Sequence, residues 1–242
     1  MVPRFYVAAG LAPGASVELP PEAAHHAVRV LRLGDGDEVV LFDGHGGEWH
    51  AHLHRSGTAV RARLGDFDAE DREAPLAVTL VQGLPAADKM DWIVQKGTEL
   101  GVAAIHPVAA RRSVVRLSGE RMQRRGQHWQ QVAVAACEQC GRNRVPEVAP
   151  LVDLPHYLGA AVQQEETRLL LVPGAELSLS RMEKPVGGVT LMIGPEGGFE
   201  EGEVRAAFAA GFKPVSLGPR ILRTETAGLA MLAALMARWG DF

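Results

Sequence analysis

Ile193-Gly194-Pro195-Glu196-Gly197-Gly198-Phe199 and, about one helix later, Leu217-Gly218-Pro219-Arg220-Ile221-Leu222-Arg223-Thr224-Glu225-Thr226-Ala227 decide how this chain is read. Each stretch follows a short apolar run that reads as a buried strand, Val189–Ile193 and Pro214–Leu217. Each also precedes a helical pattern. Two strand-to-helix turns with glycines where a ligand must approach the backbone predict one site built from loops. A tight structural turn accounts for the glycines equally well. In the second turn Thr224 is placed to N-cap the last helix, and Glu225 favours its positive end. Capping does not account for Arg220 and Arg223, which precede a helix start and are electrostatically misplaced there unless an anion is shared. The glycine spacing is not that of a dinucleotide fingerprint, and no GxxxxGK[ST] occurs.

Working outward, the chain from Leu76 alternates strands and helices. Leu76–Gln82, Ala103–Val108, Leu169–Val172, Val189–Ile193 and Val215–Leu217 read as strands. Asp88–Leu100 (with Gly101 as C-cap), Arg121–Gln139, Glu200–Ala210 and Thr224–Trp239 read as helices. Such alternation predicts a parallel α/β sheet covered on both faces, with ligands at the carboxyl ends of its strands. Residues 1 to about 70 read differently. Arg4–Ala8, Glu38–Phe42, Glu48–Leu53 and Val60–Leu64 are short strand candidates separated by Gly/Asp-rich turns, with a helix over Glu22–Val30. That pattern predicts a small barrel-like module. Gly65–Pro75, with five acids, reads as a solvated linker.

The 242 residues allow one large domain or two modest ones, and 47% hydrophobic with 22% charged residues describes an ordinary globular protein. A net charge of -4 argues against a generic nucleic-acid coat. The distribution is less even. Between Arg111 and Arg125 stand Arg111, Arg112, Arg116, Arg121, Arg124 and Arg125 against the single acid Glu120, which predicts one basic surface. Of the 25 cationic side chains 21 are Arg; a GC-rich genome and selection for multidentate phosphate binding both fit. There is no signal-peptide profile at the N-terminus, no membrane-length apolar stretch and only two cysteines, so a reduced, cytoplasmic protein without membrane partners is expected.

Two further groupings have bland readings that are preferred. Cys137 and Cys140 form a lone CxxC at the end of a helix, followed by a Gly stop and the basic loop Gly141-Arg142-Asn143-Arg144; a redox or zinc site needs more ligands. His50, His52 and His54 alternate along a strand near His45 and Glu48, as an exposed face also permits, so no metal is expected.

Taken together, these segments resemble the RsmE family of ribosomal RNA methyltransferases, within the SPOUT superfamily of knotted S-adenosylmethionine enzymes. The resemblance spans nearly the whole chain. It rests on Arg4-Phe5-Tyr6-Val7, on His26 to Val39 around Val30-Leu31-Arg32, on Gln95-Lys96-Gly97-Thr98-Glu99-Leu100-Gly101-Val102, on Glu138-Gln139-Cys140-Gly141-Arg142, and on the two C-terminal turns. A serine commonly sits where Cys140 is here, which speaks against an essential thiol. The resemblance implies a PUA-like β-barrel over residues 1–70 for RNA docking and, over 74–242, an α/β domain tied in a trefoil knot. It also implies a homodimer whose partner completes the site, and 3-methyluridine in 16S rRNA of the small subunit as product.

Uridine N3 is not nucleophilic until its proton leaves, so the chemistry needs a base or an anion-stabilising site, plus placement of the methyl group. Glu225 is the candidate base, with Glu196 as the alternative carboxylate; Arg220 or Arg223 stabilises the anion or grips a phosphate. S-adenosylmethionine is expected against Val172, Pro173, Ile193, Gly194, Gly198, Leu217, Gly218, Ile221, Leu222 and Thr224, and a side chain at Gly194 or Gly218 is expected to fill its pocket. RNA contact is expected from Arg4, Arg29, Arg32, Arg111, Arg112 and Arg142. A SPOUT enzyme acting on a ribose 2′-hydroxyl or a tRNA base, a non-catalytic ribosome-assembly factor, and a small-molecule enzyme with an anion site are the competing readings. Two intact C-terminal turns weigh against the second. The arginine cluster and separate N-terminal module weigh against the third.

Overall fold

Buried and exposed residues alternate along the N-terminal strands, as a sheet with one solvated face requires. The computed structural model describes residues 2–8, 10–57, 59–86, 88–115, 117–160 and 166–242, so Arg116 of the basic cluster lies outside the described residues. The chain divides into two units, residues 1–73 with 134–145, and residues 74–133 with 146–242.

The first unit holds β1 (Arg4–Tyr6), β2 (Ser16–Glu18), α1 (Pro21–His25), β3 (Glu38–Phe42), β4 (Glu48–Ser56) and β5 (Ala59–Asp68), in the sheet order β1-β3-β4-β5-β2. A π-helical turn over His26–Val30 continues α1. Ala51, Leu53, Ala62 and Leu64 face a core shared with Phe5, Val39 and Leu41. The intervening His52 and His54 are exposed. β5 runs to Asp68, so Gly65–Asp68 is strand rather than linker.

Residues 69–72 are exposed chain without regular structure, as a solvated linker should be, but the stretch is tied down by ion pairs and hydrogen bonds. Asp71 accepts from Arg144 Nε at 2.9 Å, and Glu73 accepts from Arg142 Nε at 2.9 Å. The Glu70 carbonyl accepts from Asn143, and Glu138 accepts the Tyr6 N–H at 2.9 Å. These bonds assign residues 134–145 to the first unit, where a division of the sequence into 1–70 and 74–242 assigns them to the second. Periodicity along the chain carries no trace of such long-range ion pairs.

The second unit holds β6 (Val78–Gly83), α2 (Lys89–Glu99), β7 (Ala104–Ala109), α3 (Gly119–Cys140, whose C-terminal end belongs to the first unit), β8 (Glu147–Val148), β9 (Val152–Asp153), α4 (Leu154–Gly159), β10 (Glu166–Leu171), β11 (Gly188–Ile193), α5 (Glu201–Ala209), β12 (Lys213–Val215) and α6 (Thr224–Trp239). Its sheet runs β12-β10-β11-β6-β7-β8, with β9 also on β7, and every pairing is parallel. Both faces are covered, which is why the strands are near-continuous apolar runs. Val81, Met192, Leu170 and Val108 pack with Leu154, Ala207 and Phe212 beneath α4 and α5. On the other face α6 packs on β11 and β6. There Gly228 lets it approach so closely that an added Cβ would lie 3.3 Å from Ile193 Cδ1 and 3.4 Å from Leu80 Cδ1. Among the described residues no helix is long and apolar enough to cross a membrane.

Candidate active site

The sheet order reverses at the β11–β6 pair, since later strands return to lie beside the first; in parallel sheets such reversals open a crevice at the carboxyl ends. Loops leaving β10, β11 and β12, with the first residue of α2 after β6, line a cavity of about 380 Å³ there, within the size range of small-molecule sites. Val172 and Pro173 follow β10, while Ile193, Gly194 and Gly198 end β11 and form its turn. Leu217, Gly218, Ile221 and Leu222 lie between β12 and α6, and Thr224 opens α6. All ten residues expected to hold the cofactor line this one cavity. Glu196, Arg220 and Arg223 line it too.

Two glycines cradle the space. Gly198 (φ +67°) and Gly218 (φ +72°) occupy the left-handed region, and a Cβ on either would meet nothing within 4 Å. Gly194 serves differently from expectation. An added Cβ would lie 3.1 Å from Gly198 Cα and 3.2 Å from the Phe199 nitrogen, so this glycine closes the turn on itself rather than leaving room for ligand. Gly83 at the end of β6 presses on the same turn, its added Cβ falling 2.6 Å from Pro195 Cδ.

Thr224 is not the N-cap. Arg223 holds that position, with its carbonyl accepting from the Thr226 and Ala227 N–H groups, and Thr224 is the first helical residue. Its buried hydroxyl instead donates to the Gly194 carbonyl at 2.6 Å and accepts from Gln82 Nε2 at 2.9 Å. Gln82 Nε2 also donates to the Gly83 carbonyl. One side-chain chain thus joins the end of β6, the first turn and the start of the second helix. Sequence reasoning passed over Gln82; an amide closing an otherwise apolar strand was the available signal.

Lys89, the first residue of α2, was also passed over, and it lines the cavity. Its Nζ lies 2.9 Å from Glu196 Oε1 and 3.3 Å from Glu225 Oε2. Glu196 Oε1 accepts the Ala86 N–H as well, at 3.0 Å. Partial burial pushes the Glu196 carboxyl up, but the bonds from Lys89 and Ala86 outweigh it and leave the group below the usual range. The same bonds, from Glu196 foremost and then Glu225, hold the Lys89 ammonium above its ordinary value. Glu225 is not among the residues lining the cavity; Lys89, its ion-pair partner, is. Arg220 and Arg223 are exposed and have no carboxylate partner among the described residues.

The arginines expected to meet RNA divide. Arg29, Arg32, Arg111 and Arg112 are exposed. Arg112 Nη1 donates to the Gly197 carbonyl at 3.1 Å, fastening the loop after β7 to the first turn, and the Arg111 N–H donates to Glu203 at 2.9 Å, fastening it to α5. Arg4 and Arg142 do not fit that role. The Arg4 side chain is 8% exposed, pairs with Glu48, bonds Asn143 and lies over the Phe42 ring. The Arg142 side chain is 6% exposed and pairs with Glu73. Arg4 neutralises the buried Glu48 and Arg142 the partly exposed Glu73, both inside the first unit.

Burial pushes the Cys137 thiol up to about 12, which disfavours the thiolate that nucleophilic attack requires. His50 lies against Glu38, His52 against the Gly36 carbonyl and His54 against Asp35. Ligand atoms of Glu48, His50 and Asp68 come within 4.8 Å of one another, but Glu48 is already engaged by Arg4 and Arg72. Two guanidiniums on that carboxylate oppose a further cation.

Family profiles describing an RNA methyltransferase domain and an RNA methyltransferase PUA domain match residues 72–236 and 19–62. A crystal structure of a ribosomal RNA small subunit methyltransferase E from Neisseria gonorrhoeae, bound to S-adenosyl methionine, superposes with a TM-score of 0.92 at 40% identity, covering 100% of both chains. Ribosomal RNA small subunit methyltransferase E of Bacillus subtilis is 34% identical over 88% of this chain and 87% of its own. The Synechocystis protein of that name is 35% identical over 92% of this chain and 73% of its own. The chain belongs to the ribosomal RNA small subunit methyltransferase E family.

Proposed function

We propose that this protein transfers a methyl group from S-adenosylmethionine to N3 of a uridine in 16S rRNA of the small ribosomal subunit, working as a cytoplasmic homodimer. The observation that carries the reading is the convergence of all ten expected cofactor residues, together with Lys89, Glu196, Arg220 and Arg223, on one cavity at the switch point of a parallel sheet. The cofactor fits what is there. Gly198 and Gly218 leave open space at their missing Cβ positions, and Val172, Pro173, Ile221 and Leu222 supply apolar walls. When bound, S-adenosylmethionine supplies an electrophilic methyl group on a sulfonium.

The residues divide the remaining work. The Gln82–Thr224–Gly194 bonds hold the two turns at a fixed separation, so the methyl donor and acceptor meet in one geometry. Arg220 and Arg223, exposed beside the cavity, grip RNA phosphates bidentately, while Arg111 and Arg112 extend the basic surface from the neighbouring loop. The first unit, carrying the PUA-domain match, docks RNA as a PUA-like barrel through Arg29 and Arg32. We further propose that the segment from β10 to α6 is threaded as a trefoil knot, an arrangement almost unknown outside a few folds.

Calorimetric titration with S-adenosylmethionine and S-adenosylhomocysteine, followed by methyl transfer to bare rRNA and to purified small subunits with nucleoside mass spectrometry, tests the reading. Micromolar binding with label at uridine N3 is expected. Label at a ribose 2′-hydroxyl or in tRNA replaces the substrate, and folded protein that binds neither cofactor form overturns the reading in favour of an RNA-binding factor.

A further inference from the structure

Lys89 stands at an electrostatically poor place. It is the first residue of α2, where the positive end of the helix dipole disfavours a cation. Two carboxylates brought from separate segments compensate. Glu196 comes from the turn after β11, and Glu225 from the first turn of α6. The backbone N–H of Ala86, just before α2, donates to the same Glu196 oxygen that Lys89 holds. Three chain segments therefore converge on one ammonium at the wall of the cavity.

The same geometry bears on the search for a base. Glu225 Oε2 is held 3.3 Å from the ammonium as an ion pair without hydrogen-bond geometry, and Glu225 itself does not line the cavity, whereas Lys89 does. An ammonium has three N–H donors. One is directed at Glu196, and Glu225 adds its charge at 3.3 Å without taking a hydrogen bond, which leaves donors for an acceptor inside the cavity. Loss of the N3 proton puts negative charge on the ring nitrogen and on the flanking carbonyl oxygens of uridine. A fixed cation beside one of those oxygens favours that anion and so lowers the cost of ionisation.

We propose that Lys89 is the catalytic cation of the transfer, donating a hydrogen bond to a uridine carbonyl oxygen as N3 ionises, and that Glu196 and Glu225 are positioning residues that hold it there. The assignment rests on the methyltransferase reading above. The step sends the N3 proton to water and forms the N3–carbon bond as the carbon–sulfur bond breaks, its electron pair leaving a neutral thioether. Lys89 keeps its proton throughout, consistent with the raised value its two carboxylates impose.

The test compares pH–rate profiles of single-turnover methyl transfer to purified small subunits for the parent, K89M, K89R and E225Q. Calorimetric titration with S-adenosylhomocysteine on each reports whether the cavity is intact. K89M is expected to bind the nucleoside within about threefold of the parent, yet to lose about 100-fold or more in rate near neutral pH, the scale set by removing one donor to a developing anion. Its rate should climb as pH rises, because hydroxide and the substrate's own acidity replace the missing cation, moving the acid limb upward. K89R should keep the parent's limb at reduced rate. E225Q should move the limb part of the way. A K89M profile lowered equally at every pH overturns the assignment, as does an E225Q protein with no acid limb beside a near-native K89M. If K89M fails to bind the nucleoside, a displaced limb in K89R overturns it and a retained one supports it. Absence of transfer by the parent overturns the methyltransferase reading, and the assignment with it.

Discussion

Replacing Thr224 by valine keeps shape and removes one oxygen. The hydroxyl makes two bonds, to the Gly194 carbonyl at 2.6 Å and from Gln82 Nε2 at 2.9 Å, at a site where both side chains are buried. An intramolecular hydrogen bond contributes about 1 kcal/mol net, and a buried group left without its partner costs about 1–3 kcal/mol. Gln82 keeps its bond to the Gly83 carbonyl, so its loss falls at the low end; the Gly194 carbonyl loses the partner it has here. The volume is unchanged and no cavity forms. T224V should therefore lower unfolding stability by about 2–3 kcal/mol, measured in urea at an unchanged slope. T224S should restore most of it. Because the bonds join the two turns, S-adenosylmethionine affinity should fall about tenfold, equivalent to about 1.4 kcal/mol. In a double-mutant cycle with Q82L the losses should couple by about 1 kcal/mol. Stability within about 0.5 kcal/mol of the parent, with unchanged affinity, refutes the claim that this hydroxyl fastens the site.

Three other outcomes follow from the same geometry. R142A leaves Glu73 without its partner in the first unit; denaturant titration should show a loss of about 2–3 kcal/mol, below the fully buried range because Glu73 is partly exposed. Burial pushes the Glu48 carboxyl up, but the bond and charge of Arg4, then Asn143 and Arg72, hold it below the usual range. A depressed carboxyl contributes stability above its unfolded value and loses it as pH falls through the folded one, so E48Q should flatten the loss of thermal stability below about pH 4. G218V, forcing a branched side chain at φ +72° into the cavity, should abolish cofactor binding; a folded G218V protein with parental affinity counts against the cavity as the cofactor site.

The C-terminal turns were legible because their meaning is local. Strand, glycine turn and helix follow one another in the chain, and α6 begins and ends where the apolar periodicity says. Three-residue β2 and two-residue β8 and β9 were not legible, since a strand that short has no period and exists only through its partner. Charge misled in both directions for one reason. Arg4 and Arg142 read as surface, whereas Glu48 and Glu73 bury them from 44 and 69 residues away. Lys89 drew no notice inside the Asp88–Leu100 helix, because Glu196 lies 107 residues downstream.

The strand order also fixes when the site can exist during synthesis. β6 is the first strand of its sheet to be made, yet one of its neighbours is β11, and Gln82 finds its hydroxyl partner 142 residues later. At about 5–20 residues per second the ribosome needs roughly 7–30 seconds to supply that partner. Until then an edge of β6 that the finished protein buries lies open, an apolar strand with unpaired amides. Pairings this distant in the chain also form slowly once available. Synthesis of this protein should therefore depend on chaperone shielding more heavily than its ordinary size and composition would indicate.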